Sequence, residues 1–248
     1  KTHIRCLFSA LLLSIPKLKN PNFPVLSPRL SAVAMLVRPG ARFLDVGTDH
    51  AYLPVYLSFH CLVSFCAATD IAQGPLKKAK EHIELWNMTD RIRTRQAPGL
   101  LGAEDFAPTD IALAGMGGEL IASILEEAPF VKNPNLRLIL QPMTKQAALR
   151  RFLSSAGFAV TEERLVQEEE RIYQVLCCSY TGMPYALSPL EAEVGLLNLR
   201  NGGPLLEKQL QKKAGQCKRI LQGKQQGGLA EKAQERILLK EIEHFLKA

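Results

Sequence analysis

Gly47 stands between two stretches of opposite habit, and the chemistry it permits is the holding of a nucleotide. Phe43, Leu44 and Val46 form a short apolar run interrupted by Asp45, and Ala51 to Phe59 is compatible with a helix. A strand, a tight glycine turn and a helix in that order open a nucleotide-binding α/β unit. Without a Cβ, Gly47 lets the backbone approach a ligand closely. The first amide groups of the following helix lack partners and point at the same spot. Asp70 lies 23 positions further on, at the end of a second apolar run from Leu62 to Thr69. That is where an acidic side chain holds a ribose through its hydroxyls, although a strand-end Asp can equally cap the next helix. A second glycine turn, Gly115-Met116-Gly117-Gly118, follows another apolar run, giving the crevice two bare backbone walls. The full G-x-G-x-x-G spacing is absent, because Asp49 and Ala51 or Tyr52 stand where further glycines are usual.

The elements that must position these turns are legible in order. Ser27 can cap a helix beginning at Pro28, with Leu30, Val33, Ala34 and Val37 on its apolar face. This helix lies beside the glycine turn, where Arg29 either reaches a ligand or is a surface charge. Strands are expected at Phe43–Val46, Leu62–Thr69, Ile92–Arg95, Asp110–Ala114 and Arg137–Leu140, with helices between them. Cys61 and Cys66, and likewise Cys177 and Cys178, fall in apolar strand-like runs and read as buried free thiols of a reducing, cytoplasmic compartment. Phe158–Leu165 and Ile172–Ser179, joined by an acidic turn at Glu168-Glu169-Glu170, make an antiparallel hairpin. Five βα units finished by a hairpin suit a Rossmann-like class I methyltransferase sheet. A classical dehydrogenase would need a sixth parallel strand.

Beyond a boundary at Thr181 to Pro184, Ser188-Pro189 opens a short helix that breaks near Asn201-Gly202-Gly203. Leu206, Leu210, Ala214, Cys217 and Leu221 then recur at helical spacing. After a turn over Gln222 to Gly228, a last helix carries Ala233, Ile237, Leu238, Ile242 and Phe245. The expected product is a coiled-coil-like helical hairpin. The division is therefore residues 1–22 as an extension outside the fold, 23–182 as the cofactor-binding domain and 183–248 as the helical hairpin.

The 248 residues are 47% hydrophobic and 22% charged, with a formal net charge of +7. Residues 1–20 hold four basic and no acidic side chains, and residues 183–248 hold 11 basic and seven acidic ones. The middle, 21–182, has 16 basic and 17 acidic side chains. A polyanion would be gripped by the ends, with the central domain supplying the pocket. No cysteine–histidine spacing suits a metal, and the apolar run Leu7 to Ile15 is short for a membrane span.

Taken together, Leu26-Ser27-Pro28-Arg29-Leu30, Asp45-Val46-Gly47-Thr48-Asp49-His50-Ala51-Tyr52-Leu53-Pro54, Ala114-Gly115-Met116-Gly117-Gly118 and Leu138-Ile139-Leu140-Gln141-Pro142 resemble the bacterial tRNA adenine-N1 methyltransferases that modify position 22. The likeness runs from Leu26 to the C-terminus. It departs at Ala97-Pro98-Gly99-Leu100, where the family usually reads Gly-Asp-Gly-Leu. The resemblance implies S-adenosyl-L-methionine as cofactor and tRNA as partner, with no metal and no membrane. It implies that Asp45, Gly47, Thr48, Asp70, Gly99, Gly115, Met116 and Gly117 lie on the cofactor side. Asp49, His50 and Tyr52 become the catalytic candidates, unranked among themselves. Arg29, Gln141 and Pro142 fall to the substrate, as do Lys208, Lys212 and Arg219 on one side of the hairpin's first arm. Two other readings compete: a nicotinamide-dependent oxidoreductase, which shares the turn and the ribose acid, and a non-catalytic RNA-binding protein on the same fold.

Overall fold

The computed structural model describes residues 24–226 and 233–247. The expected extension over residues 1–22 lies outside them, as does the end of the expected turn at 227–228. Seven strands form one sheet: β1 (Ala41–Val46), β2 (Val63–Asp70), β3 (Ile92–Gln96), β4 (Asp110–Gly117), β5 (Arg137–Thr144), β6 (Phe158–Glu168) and β7 (Arg171–Tyr180), in the spatial order β3-β2-β1-β4-β5-β7-β6. The first five are parallel, and β7 enters antiparallel between β5 and β6. The chain steps outward from β1 to β3, then returns to β4 on the other side of β1. The order therefore reverses between β1 and β4, and an open α/β sheet leaves a crevice at the carboxyl ends of those two strands.

Both faces of the sheet are covered, which is why its central strands β1, β4 and β5 read as apolar runs rather than alternating ones. Leu44, Ile111, Leu113, Leu138 and Leu140 enter one core, while Phe43, Ala112 and Ile139 enter the other. The covering helices are α1 (Pro28–Ala34), α2 (Tyr52–Phe59), α3 (Gln73–Leu85), α4 (Gly118–Glu126) and α5 (Gln146–Ser155). Ser27 caps α1, its Oγ accepting the Leu30 N–H at 3.5 Å.

Several details differ from expectation. The fourth strand does not stop at Ala114. It runs on through Gly115, Met116 and Gly117 with two register shifts against β5, which Gly115 permits at φ +82°. Cys61 is exposed in the turn before β2, while Cys66, Cys177, Cys178 and Cys217 are buried free thiols. The short helix after Ser188 is two helices, α6 (Pro189–Val194) and α7 (Leu196–Asn201), broken at Gly195. A Cβ on Gly195 would overlap the Glu163 carboxylate, and its φ is +92°. The long arm α8 (Pro204–Gln226) remains helical over Gln222 to Gln226, where a turn was expected, and α9 (Ala233–Phe245) follows. Leu206, Leu210, Ala214 and Cys217 pack with Leu238 and Ile242 in a third core, whereas Ile237 faces outward, 44% exposed.

Candidate functional site

The crevice predicted by the strand order holds a cavity of about 530 Å³, within the range of small-molecule sites. Its floor is the β1–α2 turn. Gly47 has φ +74°, and the Gly47 and Thr48 amides both donate to the Thr69 carbonyl, at 2.8 and 2.9 Å. The Met116 methyl group occupies the space a Cβ on Gly47 would need, so the two glycine segments close on each other as well as on the cavity.

Thr48 and Asp45 are buried polar groups of this floor. Thr48 is buried, and its Oγ1 has no hydrogen-bond partner. The hydroxyl leans toward Asp45 and favours its charged form, but burial outweighs it. With a smaller contribution from the negative charge of Asp70, burial lifts the Asp45 carboxyl from 3.8 to about 7. An unpaired hydroxyl beside a carboxyl held near neutrality is a wall prepared for a polar, positively charged group.

Asp49, His50 and Tyr52 all line the cavity. His50 Nε2 lies 3.5 Å from Asp49 Oδ2, and Tyr52, 45% exposed, lies against the His50 ring at 5.2 Å and 28°. Ala51, between them, sits in the left-handed region at φ 52°. On the opposite wall, Arg29 Nη1 donates to Gln141 Oε1 at 2.7 Å, and the same oxygen accepts the Gly115 N–H at 3.1 Å. Arg29 is thus a built part of the wall rather than a loose surface charge. Its backbone N–H donates to Glu168 Oε2 at 2.9 Å, and its guanidinium lies 5.6 Å from the Tyr173 ring centroid.

The other candidates are placed less centrally. Asp70 ends β2 and does not line the cavity; its Oδ1 accepts the Ala72 N–H at 2.7 Å. One of its oxygens therefore caps the following turn, and the other is available on the β2 side of the crevice. Gly99, at φ +51°, packs against Ile124 away from the cavity wall. Gly117 faces Thr144, and Pro142 is buried beside Met116 in the β4–β5 ladder. Lys208, Lys212 and Arg219 are exposed on α8, outside the cavity.

Sequence reasoning missed Glu168, read only as part of an acidic turn, and two residues of α3 and its end. His82 Nδ1 lies 2.8 Å from the His50 carbonyl oxygen, and Trp86 Nε1 donates to His82 Nε2 at 3.0 Å. The signal was the i, i+4 spacing of His82 and Trp86, which places a ring acceptor over an indole donor on one helix face. Among the described residues no cluster of His, Cys, Asp or Glu is placed to hold a metal ion, and no helix is long and apolar enough to cross a membrane.

The comparisons with known proteins agree with this geometry. A family profile described as a methyltransferase domain matches residues 26–176. The tRNA (adenine(22)-N(1))-methyltransferase of Bacillus subtilis (strain 168) is 34% identical over 184 residues, covering 74% of this chain and 76% of that protein. The crystal structure of Streptococcus pneumoniae Sp1610 in complex with S-adenosyl-L-methionine superposes with a TM-score of 0.79 at 32% identity, over 90% of this chain and 100% of that one. That of the B. subtilis tRNA methyltransferase TrmK gives 0.76 at 30% identity, over 90% and 98%. With a sheet order, a glycine crevice and a relative that agree along most of its length, the chain belongs to the tRNA (adenine(22)-N(1))-methyltransferase family.

Proposed function

We propose that this chain transfers a methyl group from S-adenosyl-L-methionine to N1 of an adenine in tRNA, at position 22 as in its curated relative. The observation that carries the reading is the cavity at the β1–β4 switch point. It combines glycine backbone, an unpartnered buried hydroxyl at Thr48 and an exposed aromatic ring at Tyr52. The polar wall fits the cofactor: Thr48 and Asp45 offer partners to its ammonium group, Gly47 and Gly115 admit its chain, and the available oxygen of Asp70 suits a ribose hydroxyl. Met116, Gly117 and Gly99 stand behind that side rather than on the cavity wall, Met116 with its methyl group against Gly47.

Bound S-adenosyl-L-methionine would supply a methyl on a positively charged sulfur: as the in-plane lone pair of adenine N1 bonds to that methyl carbon, the carbon–sulfur bond breaks, the sulfur leaves as a neutral thioether and the positive charge passes to the ring. Neutral adenine needs no proton removed beforehand, so the chain's task is to seat the flipped base, align N1 and exclude water. Tyr52 offers its face to the base. Asp49, beside His50, accepts from the exocyclic amine, whose acidity rises once N1 is methylated. Glu168, held by the Arg29 amide, adds negative charge on the far wall for the cationic product. Arg29 and Gln141 brace that wall, with Pro142 packed behind it, and Lys208, Lys212 and Arg219 meet tRNA phosphates.

The test is calorimetry followed by label transfer. S-adenosyl-L-methionine is expected to bind and NADH not to, and label from the cofactor is expected in an unmodified tRNA transcript. Binding of NADH alone would return the oxidoreductase reading, and cofactor binding without transfer would favour the RNA-binding one.

A further inference from the structure

We propose that His82 is a positioning residue for methyl transfer: held in one tautomer by Trp86, it clamps the His50 carbonyl and the Tyr52 ring, fixing the turn against which the target base is seated. The proposal rests on the reading that the base is received beside Tyr52.

His82 lies in the last turn of α3 and Trp86 just beyond its end, while His50 belongs to the turn before α2, 32 residues earlier, and Tyr52 is the first residue of α2. The two hydrogen bonds of the imidazole determine where its proton sits. The His50 carbonyl oxygen, 2.8 Å from Nδ1, can only accept. The indole N–H of Trp86, 3.0 Å from Nε2, can only donate. One form satisfies both, a neutral ring protonated on Nδ1 and bare on Nε2. The opposite tautomer loses both bonds, and the doubly protonated ring loses the bond to Trp86. Burial also favours the neutral ring, lowering the His82 pKa against the opposing bond to the His50 carbonyl.

What the ring holds is a turn that needs holding. Ala51 is in the left-handed region at φ 52°, a conformation that a residue with a Cβ rarely adopts. The clamp acts on the carbonyl of the preceding residue. The same ring meets Tyr52 edge-on, at 4.9 Å and 66°, while His50 lies on it at 28°. Tyr52 is thus set between two imidazoles, with the rest of its surface turned outward. An aromatic platform can align a base only if it does not swing, and His82 removes that freedom without standing on the cavity wall itself.

Two conservative replacements divide the ring into its halves. The amide nitrogen of Asn can stand where Nδ1 stands, whereas the amide of Gln reaches the place of Nε2. In the full chain, His82→Asn keeps the donor to the His50 carbonyl and is expected to retain kcat on tRNA within about threefold. His82→Gln keeps a partner for Trp86 but not the clamp, and is expected to lower kcat about tenfold, the worth of one hydrogen bond. Affinity for S-adenosyl-L-methionine should stay within about twofold in both. Equal activities for the two variants, or loss only of cofactor affinity, would overturn the proposal. Nitrogen-15 NMR of the unaltered protein gives a reading independent of folding and of activity. The expected signal is a His82 ring protonated on Nδ1 alone, and protonation on Nε2 would also overturn it. Failure of the parent protein to methylate tRNA would instead count against the proposed function, while the NMR result would still decide whether the clamp exists.

Discussion

Asp45 holds its proton to about pH 7 in the folded chain, where an unburied carboxyl would release it near 3.8. Between those values the folded state binds a proton that the unfolded state has lost. This group's contribution to stability is therefore greatest below about 3.8 and falls as the pH rises through about 7. A cationic ligand group beside Asp45 would draw that proton off. At pH 7, S-adenosyl-L-methionine binding should release part of a proton and tighten from pH 6 to 8. Calorimetry in two buffers of different ionisation enthalpy would measure the release, which Asp45→Asn should abolish. Asp70→Ala should weaken cofactor binding by ~1.5–3 kcal/mol, the range for a charged hydrogen-bond partner. An unchanged dissociation constant would remove Asp70 from the site. The strand, the turn and the strand-end acid were legible in the sequence because local geometry spaces them. His82 and Glu168 were not, since each meets its partner across the fold, 32 and 139 residues away. Beyond the i, i+4 spacing of His82 and Trp86, nothing local distinguishes such residues from a helix surface or an acidic turn.

At the level of elements, the boundary near residue 182 divides the chain less cleanly than its composition suggests. Arg150 of α5 and Glu163 of β6 form an ion pair with side chains only 3% and 1% exposed. Arg150 Nη1 also donates to Gln174 Oε1 at 2.6 Å, and its Nη1 and Nη2 lie 3.3–3.4 Å from the carbonyls of Ala192, Glu193 and Val194. Glu163 Oε2 accepts the N–H groups of Leu197 and Asn198, at 3.0 and 3.4 Å. The partners of this buried pair thus come from both sides of the boundary. Glu241 of α9 ties the last helix to the start of α6, accepting from Ser188 Oγ and the Leu190 N–H at 3.0 and 2.8 Å. Arg150→Ala should cost about 3–5 kcal/mol in urea unfolding, because it leaves Glu163 buried and uncompensated. Removal of residues 183–248 should destabilise the sheet as well, so a truncated chain that unfolds at the same urea concentration as the parent would refute this coupling. In the sequence Arg150 is one basic residue beside another, Arg151. Only the packing of α6 over α5 makes it a junction.

For the whole molecule, the separation of pocket from charge survives. The cavity lies at the centre of a nearly neutral domain, and the basic surplus of residues 183–248 includes Lys208, Lys212 and Arg219 on the exposed side of α8. If these three meet phosphates, their joint replacement by Gln should flatten the salt dependence of tRNA binding by roughly two units of slope. Cofactor affinity should not change. The strands that flank the crevice were legible at this scale because two-sided burial writes apolar runs into the central parallel strands. The path of β4 past Gly115 was not, since a glycine run reads as a turn until a neighbouring strand pairs with it. Whether this fold brings adenine N1 to a sulfonium methyl is decided by nucleoside analysis of a tRNA transcript after incubation with the protein and labelled S-adenosyl-L-methionine. The expected labelled nucleoside is 1-methyladenosine, lost when the adenine at position 22 is replaced; label in any other nucleoside, or none in the tRNA, would refute methyl transfer to that adenine.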